Sequence, residues 1–144
     1  MATEALANLA RIGQLKSEAP NLAEVQRMLA QAKTRWADAQ IASASADGRF
    51  TSVYGAAHVA ALAALRWHGY RSENRFIVFQ CLPHTLGWPS VRWRVLDAAH
   101  QKRNLAEYEG YLDIEESMVL ELLALVRDLI DDVEKLVSGI KSGA

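Results

Sequence analysis

The side chains able to act on a bound molecule crowd into one short stretch, His100–Tyr108, which carries a histidine, an arginine, an asparagine, a glutamate and a tyrosine. Arginine recognises phosphate or carboxylate through a planar fork of N–H donors, and asparagine can orient such a group. Histidine exchanges protons near neutral pH, whereas tyrosine, with its much higher ordinary pKa, does not. In a helix each residue advances about 100° around the axis. Asp97, Gln101, Asn104 and Tyr108 then form a narrow polar stripe, while Leu96, Ala99, His100, Arg103, Ala106 and Glu107 occupy a different sector. An arginine among small apolar neighbours needs a partner, because a buried charge is tolerated only when paired and hydrogen-bonded. Glu107, one turn on, is the nearest. With that partner the arginine reads as half of a solvated i, i+4 ion pair adding roughly a few tenths of a kcal/mol to the helix, although a guanidinium in this sector is a costly choice for a pure core.

Other chemistry in the chain is sparser. Cys81 is the only cysteine, so it has no intramolecular disulfide partner, and it reads as a small buried hydrophobe. His58, His68 and His84 show no paired metal-ligand spacing, and neither a metal nor a cofactor is expected. Arg94 and His100 satisfy a looser RxxxxxH spacing, but Val95 follows Arg94, and the nine-residue offset sets Arg94 across the helix from Arg103. Trp36, Trp67 and Trp93 suit a core or an interface, whereas Trp88, between Gly87 and Pro89, is expected to be free to stack on a base. Arg92, Arg94, Lys102 and Arg103 are interspersed with acids and make a weak nucleic-acid footprint.

The elements that must position these residues read as helices, since no β-branched run alternates long enough to suggest a sheet. A short helix over 4–16 carries Leu6, Leu9, Ile12 and Leu15 and stops at Pro20. The next runs over 22–44, started by Asn21 with Glu24 three residues on, and SASADG follows as a loop. A third, over 50–68, is so rich in alanine that neighbours can approach closely, which marks it as the central helix; Gly69 stops it. A fourth, over 73–81, breaks near Pro83. The fifth, over 91–110, holds the polar residues and ends at Gly110, and the sixth, over 114–137, is capped by Asp113 with Glu116. Residues 138–144 read as a loose tail. The expectation is thus an all-α, up-and-down bundle of five to six helices in a single domain over 1–144, with its core in 21–137.

Arg103, Asn104, Leu105, Ala106, Glu107 and Tyr108 resemble the RNxxxH segment of the HEPN superfamily. Arg49 and Phe50 opening a helix with Tyr54, Ala56, Ala57 and His58, the alanine-rich run to Gly69, Tyr70 and Arg71, and a long final helix agree with that likeness over about residues 22–137. The resemblance implies an all-α homodimer whose motif helices face each other and form a composite, metal-independent RNA-cleaving site. It also implies, for many prokaryotic members, a nucleotidyltransferase-type antitoxin partner. Carried over, Arg103 would contact phosphate and Asn104 would orient it; Tyr108 stands where the histidine should be. Cleavage through a 2′-hydroxyl needs a proton carrier near neutrality, so this departure favours binding over cutting.

The expected function is therefore an HEPN-like accessory or regulatory protein of toxin-antitoxin or defence type, binding RNA, a nucleotide or a protein partner around Asp97, Gln101, Arg103, Asn104, Glu107 and Tyr108. An active ribonuclease toxin, with Tyr108 or His100 moving protons, is the alternative, and a purely structural interaction module the third. The formal charge of only −1 supplies no global field for nucleic acid or an anionic membrane, so any RNA contact must be local. MATEALANLARIG has neither a basic start nor a continuous apolar run, and no stretch has the apolar length of a membrane span; a cytoplasmic protein with no membrane partner is expected.

Overall fold

A computed structural model describes residues 2–139. Among them the chain forms seven helices and one pair of two-residue strands: α1 (Ala2–Arg11), β1 (Lys16–Ser17), α2 (Leu22–Asp38), α3 (Ala46–Trp67), β2 (Tyr70–Arg71), α4 (Arg75–Gln80), α5 (Leu82–Thr85), α6 (Ser90–Glu109) and α7 (Glu116–Ser138). The protein is an all-α helical bundle. Its core is the triple packing of α2, α3 and α7, with α4 and α6 on another side of α3 and α1 against α5.

Local chemistry sets most of the boundaries. The Asn21 side chain accepts the Glu24 amide at 3.1 Å to start α2, and Asn74 accepts that of Ile77 at 3.2 Å to start α4. Gly110 (φ 85°) ends α6 in the left-handed conformation that only glycine adopts without strain, and its amide donates to Ala106 at 2.8 Å. α3 is central because Ala56, Ala57, Ala60, Ala61, Ala63 and Ala64 are buried and let its neighbours come close.

The structure departs from the periodicity in several places. α1 stops at Arg11 rather than 16, because the chain turns at Gly13 (φ 83°) and Lys16–Ser17 then pairs antiparallel with Tyr70–Arg71, an element the alternation gave no sign of. α2 ends at Asp38, six residues short of the expected 44. α3 instead starts early, at Ala46, because the Ser45 hydroxyl accepts the Gly48 amide at 3.0 Å and draws the end of the SASADG run into the first turn. The segment after α4 forms the separate short helix α5, with Pro83 in its first turn, where its missing N–H costs nothing. The capping box expected of Asp113 and Glu116 does not form: Glu115 holds the N-cap position without a side-chain capping bond, and Glu116 is ion-paired with Arg49 of α3. Of the tail expected over 138–144, Ser138 closes α7 and Gly139 caps it; 140–144 lie outside the described residues.

One polar anchor joins the elements around the base of α3. Arg66, 1% exposed, donates to Glu24 Oε1 at 2.7 Å and to the carbonyls of Glu18 and Ala19, both at 2.9 Å. Arg71 of β2 bonds the second oxygen of Glu24 at 2.7 Å, so one carboxylate ties α2 to both α3 and the strand pair. The Arg66 hydrogen bond, helped by that of Arg71, holds the Glu24 carboxyl below its ordinary pKa against the opposing effect of burial.

Candidate functional site

α3 and α6 touch only lightly. Between them runs a groove of about 420 Å³, floored by Phe50 and Tyr54 of α3, walled by Arg103, Ala106 and Glu107 of α6, and closed by Gly110, Tyr111 and Leu112 beyond it. Arg103 is half-buried here, its side chain 34% exposed. Its guanidinium carbon sits 5.6 Å from the centroid of the Tyr54 ring, and one terminal nitrogen pairs with Glu107 at 3.0 Å. The partner expected for Arg103 is thus the one it has. The aromatic face supplies a second contact that the helix itself does not encode.

Tyr54 is the hub of the site. Its ring is 2% exposed, stacked against Phe50 and offset-stacked on His100, with Phe79 of α4 edge-on to it. Its hydroxyl lies 2.9 Å from His100 Nδ1, and Asn104 Nδ2 lies 3.1 Å from His100 Nε2. Each imidazole nitrogen thus has one hydrogen-bond partner, the Tyr54 hydroxyl at Nδ1 and the Asn104 amide at Nε2. Both nitrogens of His100 are therefore engaged. Burial lowers the His100 pKa; Asp97 opposes this, Arg103 and Arg75 add to it, and Glu107 gives a smaller rise. Close by, His58 is held neutral: burial first, then the charges of Arg75, Arg103 and His100, bring its pKa down to about 4. Its Nε2 is buried without a hydrogen-bond partner.

The expected site residues separate into two groups. Arg103 and Glu107 wall the groove, and His100 and Asn104 are joined to Tyr54 at its floor. Gln101 and Asp97 bond each other at 3.1 Å and do not line it. Tyr108, 90% exposed, lies on another sector of α6 and is not part of the groove; Tyr111 is the tyrosine that closes it. Tyr108 is therefore not placed as a substitute for a motif histidine facing the same groove as Arg103.

The remaining candidates are engaged elsewhere. Trp88, expected to be free, is 3% exposed: its indole N–H donates to Asp132 at 2.8 Å and Arg92 covers its ring at 4.1 Å. The loop folds the indole inward because a buried N–H finds a carboxylate on α7. Arg92 pairs with Asp128 at 3.0 Å, and Arg94 faces a separate cleft towards Glu121, so the basic residues of α6 do not form one patch. Cys81 is buried, and burial raises its thiol pKa to about 11. Among the described residues no three His, Cys, Asp or Glu side chains gather as a metal site requires, and no helix is long and apolar enough to cross a membrane.

No family model, curated protein or solved structure matches the chain.

Spacing along α6 could not reveal the contribution of the other helices. Tyr54 and His58 are one turn apart on α3, and Phe50 is one turn before them, which marks a polar and aromatic face. Arg75 and Phe79 reach the same cluster from α4, and nothing in their spacing ties them to Arg103.

Proposed function

We propose that the protein is an HEPN-like accessory or regulatory protein of toxin-antitoxin or defence type, which binds RNA or a nucleotide by its phosphate through Arg103, with little cleavage. The observation that carries this is the half-buried Arg103 guanidinium, held against Tyr54 at the edge of an open groove and paired only with a carboxylate that is itself 63% exposed. An anion entering the groove can replace Glu107 on the guanidinium and gain charge-assisted hydrogen bonds. Cleavage is disfavoured on two grounds. His100 has both ring nitrogens occupied, and Tyr108 points away from the groove.

The RNxxxH-like segment supports the same reading by resemblance, and with it a cytoplasmic homodimer and a nucleotidyltransferase-type partner. Leu105, Tyr108 and Tyr111, all more than half exposed near the end of α6, offer apolar surface for a second copy. A ribonuclease reading has one observation in its favour: Tyr54 orients His100 beside Arg103, so a substrate hydroxyl that displaced Asn104 from Nε2 would meet a positioned base.

Expressing the chain and its Arg103→Ala form, scoring growth, and incubating each purified protein with RNA and nucleotides in EDTA separates the readings. Arginine-dependent binding without fragments is expected. Arginine-dependent arrest with RNA fragments would establish the nuclease instead, and a wild-type chain that shifts neither RNA nor nucleotide would leave only a structural module. Light scattering should report a dimer; a monomer at micromolar concentration removes the composite site.

A further inference from the structure

A second cation packs against Tyr54 from a different helix. Arg75, the first residue of α4, places its guanidinium carbon 5.6 Å from the Tyr54 centroid, the same distance as Arg103, so the two carbons lie no farther apart than twice that length. Arg103 has Glu107, but Arg75 has no carboxylate within ion-pair distance among the described residues. His100 stacks on the same ring, centroids 6.4 Å apart, and after burial the charges of Arg103 and Arg75 lower its proton affinity further. Arg75 is partly buried, so its lack of a counter-ion leaves one positive charge on this ring without a paired carboxylate.

Building on the phosphate-binding reading, we infer that Arg75 and Arg103 are the two arms of one anion site centred on Tyr54, that its ligand is a terminal phosphate, and that Glu107 is a built-in competitor which the phosphate displaces from Arg103. Two fixed cations match the two negative charges of a phosphomonoester better than the single charge of a phosphodiester link. Glu107 is well hydrated, so releasing it to water costs little. Tyr54, locked by its bond to His100, gives both guanidinia an aromatic rest that fixes them before the ligand arrives.

The shared chemistry, a terminal phosphate, occurs on free nucleotides and on the 5′ end of RNA, and the test separates these. Binding of inorganic phosphate, of 5′-AMP, and of one short RNA with and without a 5′-phosphate is measured by calorimetry on the wild-type chain and on Arg75→Gln, Arg103→Gln, Arg75→Lys and Glu107→Gln, each checked for folding by circular dichroism. Each Arg→Gln change should weaken 5′-AMP about tenfold or more, Arg75→Lys should recover part of that, and Glu107→Gln should strengthen it about twofold to threefold. The 5′-phosphorylated RNA should bind more tightly than its 5′-hydroxyl counterpart; tighter binding of RNA than of 5′-AMP assigns the site to strand ends, the reverse to nucleotides. If Arg103→Gln weakens binding while Arg75→Gln does not, or if both RNAs bind alike, the two-armed site is wrong and the phosphate-binding reading survives. Absence of any binding by the wild-type chain overturns both.

Discussion

Replacing Glu24 by glutamine tests whether the polar anchor under α3 holds the bundle as its geometry indicates. The Arg66 side chain is only 2% exposed, so removing the carboxylate leaves a guanidinium that water cannot reach. Breaking a buried pair from one side costs about 3–5 kcal/mol. Here the carbonyls of Glu18 and Ala19 stay bonded to Arg66 and the Glu18 carboxylate remains 3.3 Å away, which places the expected loss at the lower end, about 3 kcal/mol. For a chain of 144 residues that is a fall in Tm of roughly 10 °C. Urea unfolding followed by tryptophan fluorescence reads the loss directly. Arg71→Gln, which removes the more exposed partner of the same carboxylate, should cost about 1 kcal/mol or less. The difference should also depend on pH in one direction. Because the folded Glu24 pKa lies below its ordinary 4.5, the carboxylate's contribution is complete above that value and disappears as pH falls through the lower folded one. The gap between wild type and Glu24→Gln should therefore narrow below about pH 4.5. A loss under 1 kcal/mol at neutral pH, or a gap that widens in acid, would refute the assignment of Glu24 as the main counter-ion of Arg66.

Other expectations follow from the burial of single groups. His58, with a folded pKa of about 4 against an ordinary 6.5, binds fewer protons folded than unfolded between those values, so it should lower stability by about 1.4 kcal/mol per pH unit as pH falls through that window. Proton NMR should show its ring still neutral at pH 5.5, and a midpoint near 6.5 would contradict the burial. Cys81, with its pKa raised to about 11, should resist a thiol reagent at pH 8 in the folded protein and react stoichiometrically in denaturant; fast labelling of the native chain would show the thiol to be open. Trp88→Phe removes the N–H that Asp132 accepts and should cost about 1–3 kcal/mol by urea unfolding, whereas an unchanged midpoint would mean that solvent replaces that bond.

Much of the scaffold was legible along the chain because it is local. Asn21 before Leu22, Gly110 after Glu109 and the alanine run of 56–64 act through the backbone or side-chain bulk within a few residues, and the periodicity of α6 separated His100 and Arg103 from Tyr108 before any tertiary contact was known. The helix ends that shifted were those decided at a distance. Glu116 bonds Arg49 rather than its own N-terminus, and Lys16–Ser17 becomes a strand only because Tyr70–Arg71 lies beside it.

The site divides in the same way. Sequence by itself set the Arg103–Glu107 pair and the placement of His100 and Asn104 one turn apart on α6, since an i, i+4 relation follows from helical geometry alone. Only the tertiary structure brought Tyr54 to His100, Arg75 and Arg103 to the Tyr54 ring and Trp88 into the interior. Those meetings depend on how α3, α4, α6 and α7 pack, and the energy that selects the packing is the burial of apolar surface, which has no direction along the chain and leaves no motif in it.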